Sequence, residues 1–240
     1  MKTIALIPAR LESERFPNKL IKNLHGVPII VRTYLAALNS KLFDQVYVVT
    51  GNDDIIDLIK SNDGLTFKSR KIHKSGTDRI AEAATEIDHD IVVNLQGDEP
   101  FINIDAINSL ISSFEDNTVK MASLMTSFNS FNEINNPNNV KVTVDKNNNA
   151  IFFSRSPIPE GENEIKKFNR HIGVYAFRKN TLTNFSSLNR SKNEISQNLE
   201  GNRAVDNLIP IKMIKIDFHG ISIDTEKDFI EAEKYLSKNA

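Results

Sequence analysis

A positively charged loop near the start of the chain is the first candidate for chemistry. It carries Arg10, Ser13, Arg15 and Lys19. The loop follows the aliphatic residues 4–7 and begins at Pro8, and a short aliphatic run of this kind predicts a buried parallel strand. Phosphate-bearing ligands bind at the carboxyl ends of the strands in open α/β sheets. Three cations within ten residues at such a position therefore predict a polyphosphate site.

Acidic residues form the second candidate group. Asp98 and Glu99 follow the apolar stretch 91–95, so we expect them at the end of another strand. If both strand ends lie in one crevice, these carboxylates would repel a polyphosphate unless a divalent cation lay between them. Hard oxygen ligands together with phosphate favour Mg²⁺, and Asp224 would be a second ligand if it lies close to Asp98. The alternatives are a solvated acidic pair at residues 98–99 and a simple helix cap at Asp224.

A third group is the segment Ser75-Gly76-Thr77-Asp78-Arg79. Its first residue is a typical helix N-cap, and the amphipathic pattern that follows predicts a helix. Helix N-termini present unpaired amide groups to anions and to the edges of bases. The segment is thus either part of a nucleotide site or an ordinary capped helix.

Two polar side chains, Arg155 and His171, interrupt apolar, strand-like segments in the second half of the chain. They could hold an acidic, hydroxyl-rich substrate through charge-assisted hydrogen bonds. Each could equally have a structural role.

The elements that must position these groups alternate between strands and helices. Apolar runs at 3–8, 46–50 and 91–95 alternate with helical patterns at 28–39, 53–61 and 77–87, which indicates βαβ units and a parallel sheet. The later part of the chain predicts an antiparallel hairpin and then mixed elements. These are strands 140–145 and 150–154, a strand at 171–177, a polar helical stretch at 193–207 interrupted by Gly201, a strand at 211–216 and a helix at 225–237.

The composition excludes several classes of protein. The chain has 240 residues, a net charge of -1 and no cysteine. The balanced charge argues against a nucleic-acid-binding surface, and the lack of cysteine excludes disulfides, Cys-ligated zinc and a thiolate nucleophile. No stretch has the length and apolarity of a signal peptide or a membrane span, so we expect a soluble cytoplasmic protein without a membrane partner.

Seven stretches, in this order, resemble the cytidylyltransferase family that activates 3-deoxy-manno-octulosonate (Kdo), the CMP-Kdo synthetases. They are the loop Ile7–Lys19, Ser75–Arg79, Asn94–Pro100, Asn136–Val142, Phe153–Arg155, His171–Tyr175 and Asp224-Thr225. The resemblance implies a nucleotide-diphospho-sugar transferase fold, in which helices flank a mostly parallel central sheet. It also implies a nucleotide-binding core at about 1–130 and 205–240, and a smaller β-rich lobe at about 131–204 that binds the sugar acid and pairs subunits into a homodimer.

The resemblance also implies an activity, in which CMP is transferred from CTP to the anomeric hydroxyl of a 3-deoxy-ulosonic acid and pyrophosphate is released. The implied catalytic residues are Lys19, Asp98 and Asp224, of which the two aspartates would carry Mg²⁺. The implied nucleotide-binding residues are Arg10, Ser13, Arg15, Lys19, Ser75, Gly76, Thr77 and Arg79. The implied sugar-binding residues are Gln96, Arg155, His171, Tyr175 and Glu200. The product would serve lipopolysaccharide biosynthesis.

The sequence departs from the family pattern at Gly201, where the family commonly has glutamine after Leu-Glu. We expect the glycine to remove a side-chain contact and to open space in the sugar site, which would suit a modified acceptor such as the 8-amino-3,8-dideoxy analogue of Kdo.

Other readings of the sequence remain. The chain could be a cytidylyltransferase for another ulosonic acid, a metal-dependent glycosyltransferase of similar fold, or a nucleotide-binding regulator without turnover. A dinucleotide-dependent dehydrogenase is disfavoured, because the first loop lacks Gly-x-Gly-x-x-Gly.

Overall fold

The computed structural model describes residues 1–13, 16–217 and 222–239. It divides into two compact units, Met1–Ile107 with Gly220–Ala240, and Asn108–His219. The functional division expected at residues 131 and 204 stays a prediction.

The first unit has a parallel sheet with the strand order β6-β1-β4-β5. Its elements up to β6 are β1 (Thr3–Pro8), β2 (Asn23–Leu24), β3 (Val27–Pro28), α1 (Ile29–Asn39), β4 (Gln45–Thr50), α2 (Asp53–Lys60), β5 (Leu65–Lys68), α3 (Gly76–Glu86) and β6 (Ile91–Asn94). These bounds confirm the three predicted strands and the three predicted helices of this half.

Strand β1 is the centre of that sheet. Its residues 4–7 are completely buried, as expected for a parallel strand covered on both faces. Leu6 is in register with Asn94 of β6, and Pro8 with Val49 of β4, so the three strands end at the same edge. The charged loop after β1 and the acidic turn after β6 therefore start side by side, which the sequence analysis could state only as a condition.

The chain enters the second unit through α4 (Ile104–Ser112). The described residues of this unit then form the strands of a mixed sheet and four α-helices. They are β7 (Met121–Ser127), α5 (Phe131–Asn135), β8 (Lys141–Val144), β9 (Ala150–Ser154), β10 (Asn169–Arg178), α6 (Lys179–Ser187), α7 (Lys192–Gln197), α8 (Gly201–Asp206) and β11 (Ile211–Lys215). Strand β7 pairs parallel with β11 and antiparallel with β10, and β8 pairs antiparallel with β10 and β9. The hairpin and the strands at 171–177 and 211–216 are confirmed.

The polar stretch 193–207 divides into α7 and α8, with Asn198 in the left-handed region at a φ of 52°. A buried ion pair joins the two helices, because the Arg203 guanidinium donates to both oxygens of Glu194 at 2.7 and 2.8 Å. The chain then returns to the first unit for its last helix, α9 (Glu226–Asn239). None of the helices formed by the described residues combines the length and the apolar character needed to cross a bilayer.

Candidate active site

The Lys19 ammonium connects the two predicted metal-binding aspartates. It donates to Asp98 in a short ion pair, to Asp224 Oδ1 at 3.1 Å and to the carbonyl oxygen of Ile223 at 3.1 Å. The Lys19 side chain is only 12% exposed, so water screens these charges weakly. Asp224 therefore lies close to Asp98, which was the condition for the metal interpretation.

The contacts of Asp224 and its neighbours bear on the alternative interpretation, in which Asp224 caps a helix. The cap of α9 is made by Thr225 and Asp228, because Asp228 Oδ2 accepts from the Thr225 amide at 2.7 Å and from its hydroxyl at 2.9 Å. The same oxygen accepts from the Asp224 amide at 3.1 Å. Asp228 thus fixes the backbone at Asp224, while Asp224 Oδ1 accepts a hydrogen bond from Lys19, and the role of Asp224 as a metal ligand stays a prediction.

The last helix is also attached to the charged loop. Phe16 packs edge-on against Phe229 of α9 with ring centroids 5.8 Å apart, and the Lys22 ammonium lies 5.0 Å from the centre of the Phe16 ring. These contacts keep the opening loop and the start of α9 together.

Glu99 is a third carboxyl group in this cluster. Burial and the neighbouring charges of Asp98 and Asp224 raise the pKa of Glu99 to about 8, even though the Lys19 charge opposes the shift. At neutral pH the cluster therefore holds the Glu99 proton in addition to the Lys19 cation. The raised pKa of Glu99 shows that the two aspartates make the electrostatic potential here negative, and a negative potential favours the binding of a cation.

The donor set fits a magnesium ion that also binds phosphate. Among the described residues, no group of three or more acidic or histidine side chains is arranged to ligate a metal without help. Mg²⁺ commonly binds through one or two carboxylates plus substrate phosphates, however, and Asp98 with Asp224 supplies two. The metal assignment remains a proposal.

Arg79 lies beside the charged loop. Its guanidinium donates to the carbonyl oxygen of Ala9 in a short hydrogen bond, and its buried Nε finds no partner among the described atoms. Burial and the nearby charge of Arg10 lower the pKa of Arg79. Two guanidinium groups that repel each other in this way favour an anion between them. Arg10 is exposed, and Arg15 lies outside the described residues.

The turn before α3 is a true N-cap, since Ser75 Oγ accepts from the Asp78 amide at 3.1 Å. A Cβ on Gly76 would come within 3.0 Å of the Pro8 ring, so this glycine lets the turn approach the end of β1 closely. Thr77 is buried and its hydroxyl accepts from Asn94 at 3.0 Å. The structure thus brings Ser75, Gly76 and Thr77 to the start of the charged loop, while Ser13 is half-buried within that loop.

A cluster around Glu82 of α3, which sequence reasoning missed, fixes the segment leading into this turn. Glu82 Oε2 accepts from Ser69 Oγ and contacts His73 Nε2, both at 2.7 Å, and Oε1 accepts from the Arg70 amide at 3.1 Å. Burial alone would raise the pKa of Glu82, but the hydrogen bonds from Ser69 and His73 outweigh it and lower that pKa to about 2. The signal was present as a histidine and a glutamate nine residues apart on either side of the N-cap.

The second unit brings His171, Tyr175 and Glu200 together. The His171 ring lies 5.3 Å from the Tyr175 ring, and burial followed by the charge of Glu200 raises the pKa of Tyr175. Burial lowers the pKa of His171 to about 3, so this imidazole is neutral near pH 7. Any charge-assisted bond between His171 and an acid would therefore take its charge from the acid alone, and that bond stays a prediction.

The expectation that Gly201 opens space in the sugar site is wrong. A Cβ at this position would lie 2.7 Å from the Phe153 ring and 2.9 Å from the Tyr175 hydroxyl oxygen. The next residue, Asn202, exchanges two hydrogen bonds with the backbone of Phe153, at 3.0 and 2.9 Å, so helix α8 cannot withdraw from that ring. The side chains of Phe153 and Tyr175 thus occupy the space that a side chain at position 201 would need.

The remaining sugar-site candidates are Arg155 and Gln96. Arg155 donates through Nε to the Gln197 carbonyl and through a terminal nitrogen to the Pro137 carbonyl, both at 3.0 Å, so much of its guanidinium holds loops together. The fully buried Lys141 donates to the carbonyl oxygen of Arg155 at 2.6 Å and reinforces this position. Gln96 belongs to the first unit, where it follows β6.

Comparison with known proteins gives the family. The profile described as cytidylyltransferase matches residues 4–215. The 3-deoxy-manno-octulosonate cytidylyltransferase of Flavobacterium johnsoniae is 47% identical, covering 98% of this chain and 99% of the relative. The 3-deoxy-manno-octulosonate cytidylyltransferase of Christiangramia forsetii is 42% identical, covering 98% of this chain and 97% of the relative. The chain belongs to the cytidylyltransferase family, which confirms the resemblance, and it is therefore a nucleotidyltransferase.

Solved structures agree with this assignment. A CMP:2-keto-3-deoxy-manno-octonic acid synthetase complexed with CTP superposes with a TM-score of 0.95 at 32% identity, covering all of both chains. The 4-diphosphocytidyl-2C-methyl-D-erythritol synthase of Anaerococcus prevotii has a TM-score of 0.66 at 17% identity, with 98% of each chain covered, and shows the fold alone. The predicted α/β fold, with a mostly parallel central sheet flanked by helices, is confirmed.

The Glu82 cluster predicts a specific pH dependence of stability. Because the pKa of Glu82 lies below that of an unfolded glutamate, its contribution is complete above about pH 4.5 and is lost as the pH falls towards 2. We expect Glu82→Gln to lower the free energy of unfolding by about 2–4 kcal/mol at pH 7 and to flatten its decline in acid. Urea unfolding between pH 7 and 3.5 measures both effects.

The matched control is Glu86→Gln on the same helix, where the carboxylate is 49% exposed and lies 3.7 Å from Arg70. That change should cost less than about 1 kcal/mol. A Glu82→Gln curve that runs parallel to the wild-type curve would contradict the assignment.

Proposed function

We propose that this enzyme transfers CMP from CTP to the anomeric hydroxyl of Kdo and releases pyrophosphate. The observation that carries the proposal is the Lys19, Asp98 and Asp224 cluster at the carboxyl edge of the first unit's sheet. The nucleotide and the acceptor are those named for the relatives that align over the whole chain.

In this proposal the first unit binds CTP. Arg10, Arg15 and Lys19 would neutralise the triphosphate, and Ser13 would add a hydroxyl donor. Arg79 Nε, which has no partner among the described atoms, and the Ser75–Thr77 turn would hold the nucleoside. Two repelling guanidiniums and a glycine that permits close backbone approach support this division of roles.

The candidates for binding the sugar acid are His171, Tyr175 and Glu200 together with Arg155 and Gln96. The first three share one cluster in the second unit. Hydroxyl-rich acceptors are distinguished mainly by buried polar groups that would lose a partner with the wrong substituent. The neutral side chains of His171 and Tyr175 suit such an acceptor.

The chemical step would be direct in-line attack of the anomeric hydroxyl on the α-phosphorus. The Lys19 ammonium and the arginines would stabilise charge that develops on the α-phosphate and on the departing pyrophosphate. Asp98 and Asp224 would hold Mg²⁺, which when bound favours ionisation of a hydroxyl and neutralises phosphate charge. No covalent intermediate on the protein is required.

The proposal extends to the enzyme's setting. The product would enter lipopolysaccharide biosynthesis, the reaction would take place in the cytoplasm, and the enzyme would act as a homodimer through its second unit. The 8-amino-3,8-dideoxy analogue of Kdo remains a second acceptor to test. Because two rings fill the space beside Gly201, room for a larger group there no longer favours it.

The decisive experiment incubates the enzyme with CTP and Kdo, with CTP and the 8-amino analogue, with CTP alone and with Kdo alone. A further reaction offers a sugar nucleotide donor in place of CTP. Pyrophosphate release and the nucleotide product are followed in each. We expect pyrophosphate and CMP-Kdo in equal amounts only when CTP and Kdo are both present. CTP binding without turnover would indicate a regulator. Release of a nucleotide from a sugar nucleotide donor, with no use of CTP, would indicate a glycosyltransferase.

The metal assignment predicts the effect of Asp98→Asn. The amide keeps the size of the side chain but removes the charge, so we expect Mg²⁺-dependent turnover to fall at least about a hundredfold while the fold is retained. Steady-state kinetics and circular dichroism measure the two. The control Asp88→Asn removes a carboxylate that is 83% exposed and should leave turnover unchanged. Unaltered magnesium-dependent activity in Asp98→Asn would refute the assignment.

A further inference from the structure

A β-bulge in the second unit lies next to a buried hydroxyl. The register between β10 and β7 shifts between Ile172 and Tyr175, so the two residues between them are extra in β10. Ser123 of β7 is paired with Tyr175 at this shift and is completely buried. Bulges often re-aim side chains near functional sites, so the partners of this hydroxyl are informative.

The Ser123 hydroxyl has three polar neighbours. Its oxygen lies 2.8 Å from the Val174 carbonyl oxygen, 3.2 Å from the Ile172 carbonyl oxygen and 2.9 Å from His171 Nε2. A serine hydroxyl has one proton to donate, and a carbonyl oxygen can only accept. The short contact to Val174 is favourable only if the serine proton points to that carbonyl. The remaining bond must then run from His171 to Ser123.

This count fixes the protonation of the imidazole. Nε2 must carry the proton that it donates to Ser123, and a neutral imidazole has only one such proton. Burial lowers the pKa of His171 to about 3, so the ring does not acquire a second proton near pH 7. Nδ1 therefore presents a lone pair, and within the described part of the chain no residue is bonded to that nitrogen.

Neighbouring rings keep the imidazole in this orientation. The centroid of the Phe153 ring lies 4.8 Å from that of the His171 ring, with an interplanar angle of 68°. The centroid of the Tyr175 ring lies 5.3 Å from that of the His171 ring. Gly201 allows these two rings to reach the start of α8. The lone pair is thus held in place by packing as well as by the serine bond.

We propose that Ser123 is a positioning residue that holds His171 in its Nε2–H tautomer, so that Nδ1 accepts a hydrogen bond from one hydroxyl group of the sugar acceptor. This inference rests on the proposed function for its ligand. It assigns His171 to a hydroxyl of the acceptor and excludes it as the partner of the carboxylate, because two lone pairs repel each other. Ser123 itself does not contact the acceptor in this scheme.

The tautomer can be tested without turnover. Nitrogen-15 NMR of the histidine-labelled, full-length protein at pH 7 should show His171 with a protonated Nε2 and an unprotonated Nδ1. His171→Asn, in which that signal disappears, assigns it. A protonated Nδ1, or a doubly protonated ring, at His171 of the wild-type protein would overturn the proposal.

The positioning role is tested by Ser123→Ala with Thr126→Val as its control. Thr126 lies on the same strand, is equally buried, and its hydroxyl has no partner among the described atoms. We expect Ser123→Ala to mix the two tautomers and to raise KM for Kdo about three- to tenfold, as for the loss of one neutral hydrogen bond, with KM for CTP unchanged. Thr126→Val should change neither the spectrum nor KM for Kdo.

Acceptors that each lack one hydroxyl identify the group bound by His171. For one of them, the loss of kcat/KM in the wild-type enzyme should shrink in Ser123→Ala, because the bond is already weakened. If every deoxy acceptor loses the same factor in both enzymes, or if KM for Kdo does not move in Ser123→Ala, the positioning role is overturned while the proposed function stands. Absence of turnover by the wild-type enzyme would instead reject the proposed function, and the NMR result would still judge the tautomer.

Discussion

The first unit depends on one cation, the Lys19 ammonium, held between the carboxylates of Asp98 and Asp224. Taking these charges out of water costs free energy that their attraction offsets only when the geometry is good. The surrounding contacts supply that geometry, since Asp228 fixes the backbone at Asp224 and the Phe16–Phe229 contact holds the loop against α9. Three distant parts of the chain thereby form one charged cluster at the edge of the sheet.

The second unit uses a different kind of chemistry. Its central polar groups, His171 and Tyr175, stay neutral because burial shifts their pKa values away from pH 7. The buried ion pair between Glu194 and Arg203 of this unit joins two helices instead. Charge for a phosphate in one unit and neutral hydrogen bonds in the other match the two substrates of a sugar-activating nucleotidyltransferase. This match is a chemical argument for the proposed reaction.

Much of this was predictable from the sequence, because the signals were local. The buried run before Pro8, the N-cap at Ser75 and the alternating pattern of the hairpin at 140–154 each determine their own element, and all three are found. The closeness of Asp98 and Asp224 could only be stated as a condition, since 126 positions separate them along the chain and no local pattern reports such a contact.

The error and the omissions also have physical causes. The neutral state of His171 could not be foreseen, because burial is a property of the folded chain and is invisible in a motif. Gly201 was interpreted as empty space because a sequence shows the missing side chain and not the rings of Phe153 and Tyr175 that replace it. The Ser123 hydroxyl escaped notice for a similar reason, since a bulge in β10 creates its contacts.

The central claim is that the acceptor hydroxyl attacks the α-phosphorus of CTP directly, in a site whose charge is set by Lys19, Asp98 and Asp224. The most direct measurement is the configuration at phosphorus in the product formed from CTP that is chirally labelled at the α-phosphate. A single in-line displacement predicts inversion. Retention would require two displacements and an intermediate on the protein, and it would contradict this account.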